Sequence, residues 1–171
     1  MIAQVGKIRL TSPVLFMDRK IVNLKEGDKA PGFSMAAGGR EMSFSELKGK
    51  NVILYFYPKD DTPGCTKEAC GFRDIFSDIK KLGAVVVGVS KDPPNSHEKF
   101  TKKFDLPFPL LSDEDHKIAE AYGVWGEKKF MGRTYMGMHR MTFLIGKDGR
   151  IKKIWREVKP DEHAAEVLAA L

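Results

Sequence analysis

Apolar side chains gather in two uninterrupted stretches, within Asn51–Tyr57 and within Ala84–Ser90, and in neither do they alternate with polar positions. Runs of this length, rich in β-branched and aromatic residues, predict strands covered on both faces. Between them the spacing changes. Ala69, Phe72, Phe76 and Ile79 recur at helical intervals, which predicts one helix over Thr66–Leu82, stopped by Gly83. Upstream, Phe33-Ser34-Met35 and Met42-Ser43-Phe44 flank a glycine-bearing turn at Ala36 to Arg40, an amino-terminal hairpin followed by a one-turn helix at Ser45-Glu46-Leu47. Downstream, Pro93-Pro94 opens a helix over about 95–104, and Pro107 and Pro109 bracket a short strand toward Leu111. A further helix runs from Asp115 to Tyr122, with Ser112 or Asp113 as its cap. The pattern then turns to strands: Arg140–Ile145 and Ile151–Trp155 flank Gly146-Lys147-Asp148-Gly149, and Asp161–Leu171 closes the chain as an amphipathic helix. This order predicts an α/β fold with a mixed central sheet, helices on both faces and an N-terminal hairpin.

Length and charge narrow the function. A chain of 171 residues suits one domain, and no apolar run approaches the roughly 20 residues of a membrane span. The net charge of +6 is spread over pairs such as Lys80-Lys81, Lys102-Lys103, Lys128-Lys129 and Lys152-Lys153, interleaved with acids. That is a solvated surface, and no nucleic acid partner is expected. Residues 1–23 form an N-terminal extension of uncertain role ahead of a single domain at 24–171. They carry Lys7 and Arg9, no acid before Asp18 and no continuous signal-peptide core. An extra strand, a mobile arm and an early start codon, with Met17 as the alternative, all fit; a targeting segment fits less well, because serine and arginine are not enriched.

The chemistry lies in Pro58-Lys59-Asp60-Asp61-Thr62-Pro63-Gly64-Cys65-Thr66-Lys67-Glu68-Ala69-Cys70, which holds both cysteines of the chain. Two cysteines are no secreted disulfide framework, so a reducing, cytoplasmic setting is expected, where a redox pair is usually catalytic. Cys65 falls at or near a helix N-terminus, where unpaired N–H groups and the helix dipole favour a thiolate. At about 0.3–1 kcal/mol, against about 1.36 kcal/mol per pKa unit, the dipole is too weak alone. A fixed cation supplies about 1–3 pKa units, so a strongly activated Cys65 requires an arginine beside it.

Pro58-x-x-x-Thr62-x-x-Cys65 resembles the active-site motif of peroxiredoxins, and Cys70 resembles the resolving cysteine of their bacterioferritin-comigratory-protein (peroxiredoxin Q) subfamily. Leu110–Asp115, Tyr122–Glu127 and His139–Ile145 resemble that subfamily's blocks in order, so the resemblance spans about Leu24 to Leu171. It implies a thioredoxin-like fold and a thiol peroxidase that reduces hydrogen peroxide and organic hydroperoxides. Cys65 would be peroxidatic and Cys70 resolving, through an intramolecular disulfide recycled by thioredoxin or a similar dithiol reductant. Arg140 would be the required cation, with Arg73, about two helical turns beyond Cys65, as runner-up. The Thr62 hydroxyl would help hold the peroxide, and Pro58 would shape the site and exclude water. No metal, haem or flavin is implied, and the chain would be a monomer or weak homodimer.

Plainer roles stand beside these. Cys70 could be core, Thr62 a helix cap, Pro58 a strand terminator, and Trp125 and Tyr122 core or pocket rim. His97, His116, His139 and His163 match no zinc spacing with the cysteines. A thioredoxin-like disulfide oxidoreductase without peroxidase activity would share the fold, but its cysteines would be spaced C-x-x-C. A non-catalytic holdase would rest on charge alone.

Overall fold

The computed structural model describes residues 22–171, so the readings of residues 1–21, including the start at Met17, lie outside the described residues. The elements run β1 (Ser34–Ala37), β2 (Arg40–Ser43), a 3-10 turn (Phe44–Leu47), β3 (Asn51–Phe56), α1 (Pro63–Asp74), α2 (Phe76–Lys81) and β4 (Ala84–Ser90). Then come α3 (Pro94–Phe104), β5 (Leu110–Ser112), α4 (Lys117–Ala121), β6 (Trp125–Phe130), β7 (Arg133–Met138), β8 (Met141–Ile145), β9 (Ile151–Trp155) and α5 (His163–Ala169). Among the described residues no helix is long and apolar enough to cross a membrane.

The unbroken apolar run of β3 is explained by its place. It lies inside a seven-stranded sheet of order β2-β1-β5-β4-β3-β8-β9, parallel to β4 and antiparallel to β8, so the sheet is mixed as expected. Alternate β3 side chains enter different cores. Val52, Leu54 and Phe56 pack with α4 residues Ile118 and Ala119, whereas Ile53, Tyr55 and Tyr57 pack with Cys65, Ala69 and Phe72 of α1 and Val167 of α5. Burying each such large side chain is worth about 1.5–3 kcal/mol. Helices therefore cover both faces.

Two expectations need correction. The predicted helix over Thr66–Leu82 is two helices, broken at Ile75 (φ −105°, ψ 9°), although neither proline nor glycine stands there. Packing decides it: the bend lets Phe76 meet Phe108, ring centroids 6.1 Å apart, while Ile79 stays fully buried. The second correction is the β6–β7 hairpin, which occupies a stretch where the sequence showed no element. Its two-residue connection is Met131-Gly132, both at positive φ (48° and 74°), as a primed hairpin turn requires. Methionine gives no sign of such a turn.

Strand register places the site. Phe56 at the end of β3 is paired with Met141 at the start of β8. The chain leaving β3 toward Cys65 and the chain arriving through Arg140 thus meet at one edge of the sheet.

Gly88 tests the packing of that edge. A Cβ there would lie 2.7 Å from Leu110 Cδ2 and 2.9 Å from the Tyr55 ring and hydroxyl. Overpacking by one methyl, partly offset by lost unfolded-state entropy, should cost about 1–2 kcal/mol. Urea unfolding of Gly88→Ala should show a lower midpoint at unchanged m-value; a midpoint equal to wild type would contradict this packing.

Candidate active site

Pro58, half-buried, carries the chain out of β3, and Thr62 stands at the N-cap of α1 with extended backbone (φ −97°, ψ 153°). Pro63 opens the helix, a position where its missing N–H costs nothing. Thr62 does not cap α1 through its side chain; its hydroxyl instead donates to Lys59 O at 2.8 Å, closing the loop on itself. The first backbone bond into the helix runs from Thr66 N to Thr62 O, 2.8 Å. Cys65 thus sits in the first turn, among N–H groups that helix geometry leaves without intrahelical acceptors.

The cation that lies beside the thiol is Arg140. Its Nη2 donates to Cys65 Sγ at 3.2 Å across 75 residues of sequence, and its Nη1 donates to Glu68 Oε2 at 2.5 Å. Burial disfavours the charged guanidinium, but Glu68 and the Cys65 sulfur outweigh it, and the Arg140 pKa rises. Gly64 leaves the room: a Cβ there would stand 3.3 Å from Arg140 Nη2. Arg73, the runner-up, is engaged elsewhere, donating to Phe104 O at 2.8 Å and Asp74 Oδ1 at 3.0 Å.

Glu68 was missed by the sequence reading, although its position one turn beyond Cys65 on the same helix face marks it as a neighbour. Its side chain is 0% exposed, and among the described residues only Oε2 has a hydrogen-bond partner, Oε1 being buried without one. Burial pushes its pKa up to about 7, against the pull of Arg140.

Asp60 and His97 were also missed. Asp60 Oδ1 accepts from the Tyr57 hydroxyl (2.6 Å), and Oδ2 accepts from Ser96 Oγ (2.8 Å) and faces His97 Nδ1 (2.7 Å). Asp92 holds the Asp60 N–H at 2.9 Å. The other ring nitrogen of His97 faces Leu111 O at 3.0 Å, a pure acceptor, so Nε2 donates there. Asp60, Asp92 and His97 have the atom types of a metal site, yet the inward oxygens already receive these hydrogen bonds. The cluster fits a loop anchor better than an ion.

Cys70 is half-buried and Cys65 buried, both as free thiols, and α1 is continuous between them. Ideal helix geometry puts their Cα atoms about 8.6 Å apart, beyond the roughly 7 Å a disulfide tolerates. Tyr122 is core, its hydroxyl donating to Pro31 O at 2.7 Å, and Trp125 stacks on His116 at 4.0 Å. Asp113 serves α4 as expected of a cap, its carboxylate accepting the N–H groups of Ile118 and Ala119 at 3.0 and 2.8 Å.

Comparison with known proteins agrees with this geometry. Residues 26–154 match the AhpC/TSA family model. A putative peroxiredoxin Bcp of Coxiella burnetii is 52% identical over 151 residues, 88% of this chain and 100% of that protein. Peroxiredoxin Bcp of Bacillus subtilis is 50% identical over 151 residues, 88% of this chain and 96% of its own. Among solved structures, a PrxQ mutant of Xylella fastidiosa superposes with TM-score 0.82 at 35% identity, covering 87% of this chain and 96% of that one.

The Glu68 carboxyl gives a signed pH effect. Its folded pKa of about 7 exceeds the ordinary 4.5, so between those values the folded state holds a proton that the unfolded state has lost. Stability from this group should therefore fall as pH rises from about 5 to 7. Urea midpoints of wild type and Glu68→Gln across that range check it: the difference between the two proteins should change with pH, and parallel curves would refute the buried titration.

Proposed function

This chain belongs to the AhpC/TSA family and is a thiol-dependent peroxidase of the peroxiredoxins, and we propose that Cys65 is its peroxidatic sulfur, Arg140 its activating cation and Cys70 its resolving thiol. The supporting observation is the 3.2 Å contact from Arg140 Nη2 to Cys65 Sγ. A guanidinium at that distance stabilises negative charge on sulfur. It also stands beside the place where an attacked peroxide would build up charge.

In the proposed cycle the Cys65 thiolate attacks the terminal oxygen of a hydroperoxide. The S–O bond forms as O–O breaks, and the departing alkoxide or hydroxide takes a proton to leave as alcohol or water. Arg140, with the first-turn N–H groups of α1, stabilises the charge on the departing oxygen. The Thr62 hydroxyl, already donating to Lys59 O, offers its oxygen as acceptor for the peroxide O–H. Pro58, at the mouth of the loop, keeps water from the sulfur. The Cys70 thiol then displaces water from the sulfenic acid to give a Cys65–Cys70 disulfide, and thioredoxin or a similar dithiol reductant restores both thiols. Structures of the Xanthomonas campestris bacterioferritin comigratory protein concern its alkyl peroxide reduction activity, which supports organic hydroperoxides as substrates here beside hydrogen peroxide. The two-cysteine usage supports a cytoplasmic setting, and we assign a monomer or weak homodimer as the working unit. The relatives' peroxidase names do not favour the rival oxidoreductase or holdase readings.

A coupled assay with thioredoxin, its reductase and hydroperoxide tests the assignments. Cys65→Ser should lose turnover, and Arg140→Ala should slow the peroxide step by about 10²–10³-fold. Cys70→Ser should reduce one equivalent of peroxide and lose thioredoxin-supported turnover, leaving Cys65 as a sulfenic acid that a second equivalent of peroxide takes to the sulfinic state. Sustained thioredoxin-supported turnover by Cys70→Ser would remove Cys70 from the cycle.

Resolution also demands motion, since the intact α1 keeps the two Cα atoms too far apart. Oxidation should raise amide exchange across residues 63–74 and lower the helical signal. Full protection there in a protein whose disulfide is confirmed by mass spectrometry would rule out local unwinding.

A further inference from the structure

The β6–β7 hairpin is a separate two-stranded sheet, and its second strand ends at Met138, two residues before Arg140. Cross-strand partners share a face, so the pairs Lys128↔Tyr135 and Phe130↔Arg133 place these four side chains together. The base of that face lies beside the segment that carries Arg140: Lys128 Nζ donates to Met138 O at 3.0 Å, and a Cβ at Gly126 would stand 3.3 Å from His139 Nε2. Outward from there the hairpin exposes unusual bulk. Phe130 is 64% exposed, Tyr135 47% and Met131 at the tip 88%. Met131 holds a left-handed backbone, φ 48°, where a bulky side chain is rare. Arg133 on this face forms no ion pair among the described residues, and Glu127, the hairpin's lone acid, lies on the opposite face with Lys129.

We propose that this apolar, cationic hairpin face is the landing surface for the dithiol reductant, a protein with an apolar patch beside its cysteines and carboxylates around it. The proposal rests on the Cys65–Cys70 disulfide cycle above. A thiolate of the partner attacks one sulfur of that disulfide and releases the other as thiolate. The partner's second thiol then closes the partner's own disulfide, so two electrons and two protons pass to this protein. A protein that delivers its thiol to this pair has to rest on the surface beside it. A strand of six residues spans about 20 Å, more than a small hydroperoxide can use. A second copy docking its own hairpin would set lysines and arginine against their like.

The test compares wild type with Phe130→Ser, Arg133→Glu and Met131→Asn, the last chosen because asparagine tolerates a left-handed backbone. Each is assayed with thioredoxin, its reductase and NADPH, and separately with dithiothreitol, using cumene hydroperoxide. The expected result is a thioredoxin KM raised about tenfold in Phe130→Ser and Arg133→Glu and severalfold in Met131→Asn. With dithiothreitol, rates and the cumene hydroperoxide KM should match wild type. An unchanged thioredoxin KM overturns the proposal. So does a shift confined to the hydroperoxide KM, which would make the face a substrate site, or a change in sedimentation alone, which would make it a self-association surface. Mass spectrometry of oxidised wild type separates the two levels: absence of a Cys65–Cys70 bond would overturn the cycle, and this surface with it.

Discussion

One guanidinium held between a thiol sulfur and a buried carboxyl group organises this site. Arg140 gives one amino group to Cys65 and the other to Glu68, so the cation cannot turn away from the thiol without stranding a buried carboxylate. Removing one partner of such a buried pair typically costs about 3–5 kcal/mol. Glu68 is therefore a positioning residue, and the charge it competes for is the charge the thiolate needs. The arrangement depends on the Phe56↔Met141 register and on the space above Gly64. A one-residue slip of β8 would turn its side chains to the other face.

Helix α1 has to satisfy two opposed demands. In the reduced state it presents Cys65 and Glu68 to Arg140, and its close approach to α5, with Gly71 against Ala164, keeps it docked. In the disulfide cycle proposed above, its first turns would have to come apart. The lack of a Thr62 side-chain cap and the weak helix formers Thr66 and Gly71 lower the cost of that opening. The break at Ile75 contributes as well. It ends the helix at Asp74, so unwinding stops before α2, whose Ile79 remains in the core.

The loop ahead of Cys65 is fastened independently. Asp60 ties it to Tyr57 at the end of β3, to Ser96 and His97 on α3 and, through His97, to Leu111 on β5. Burial of Asp60 and His97 makes these hydrogen bonds stronger than they would be in water. The peroxide-binding half of the site can thus keep its form while α1 changes.

The sequence by itself determined the alternation of buried strands and helices, the place of Cys65 at a helix start and the need for a cation beside it. Each of these is a local property, carried by periodicity, by proline and glycine, or by the electrostatics of one thiol. Arg140 was legible through a strand-end position and a family resemblance, not through spacing, since 75 residues separate it from Cys65. What only the tertiary structure decided is which groups share a buried space. Glu68 lies one helical turn from Cys65, but its significance comes from Oε1 having no hydrogen-bond partner among the described residues and from a guanidinium arriving just ahead of β8. The break at Ile75 and the Asp60–His97 contact likewise join segments far apart in the chain, and the Met131-Gly132 turn is set by the pairing of β6 with β7, none of which a linear pattern records.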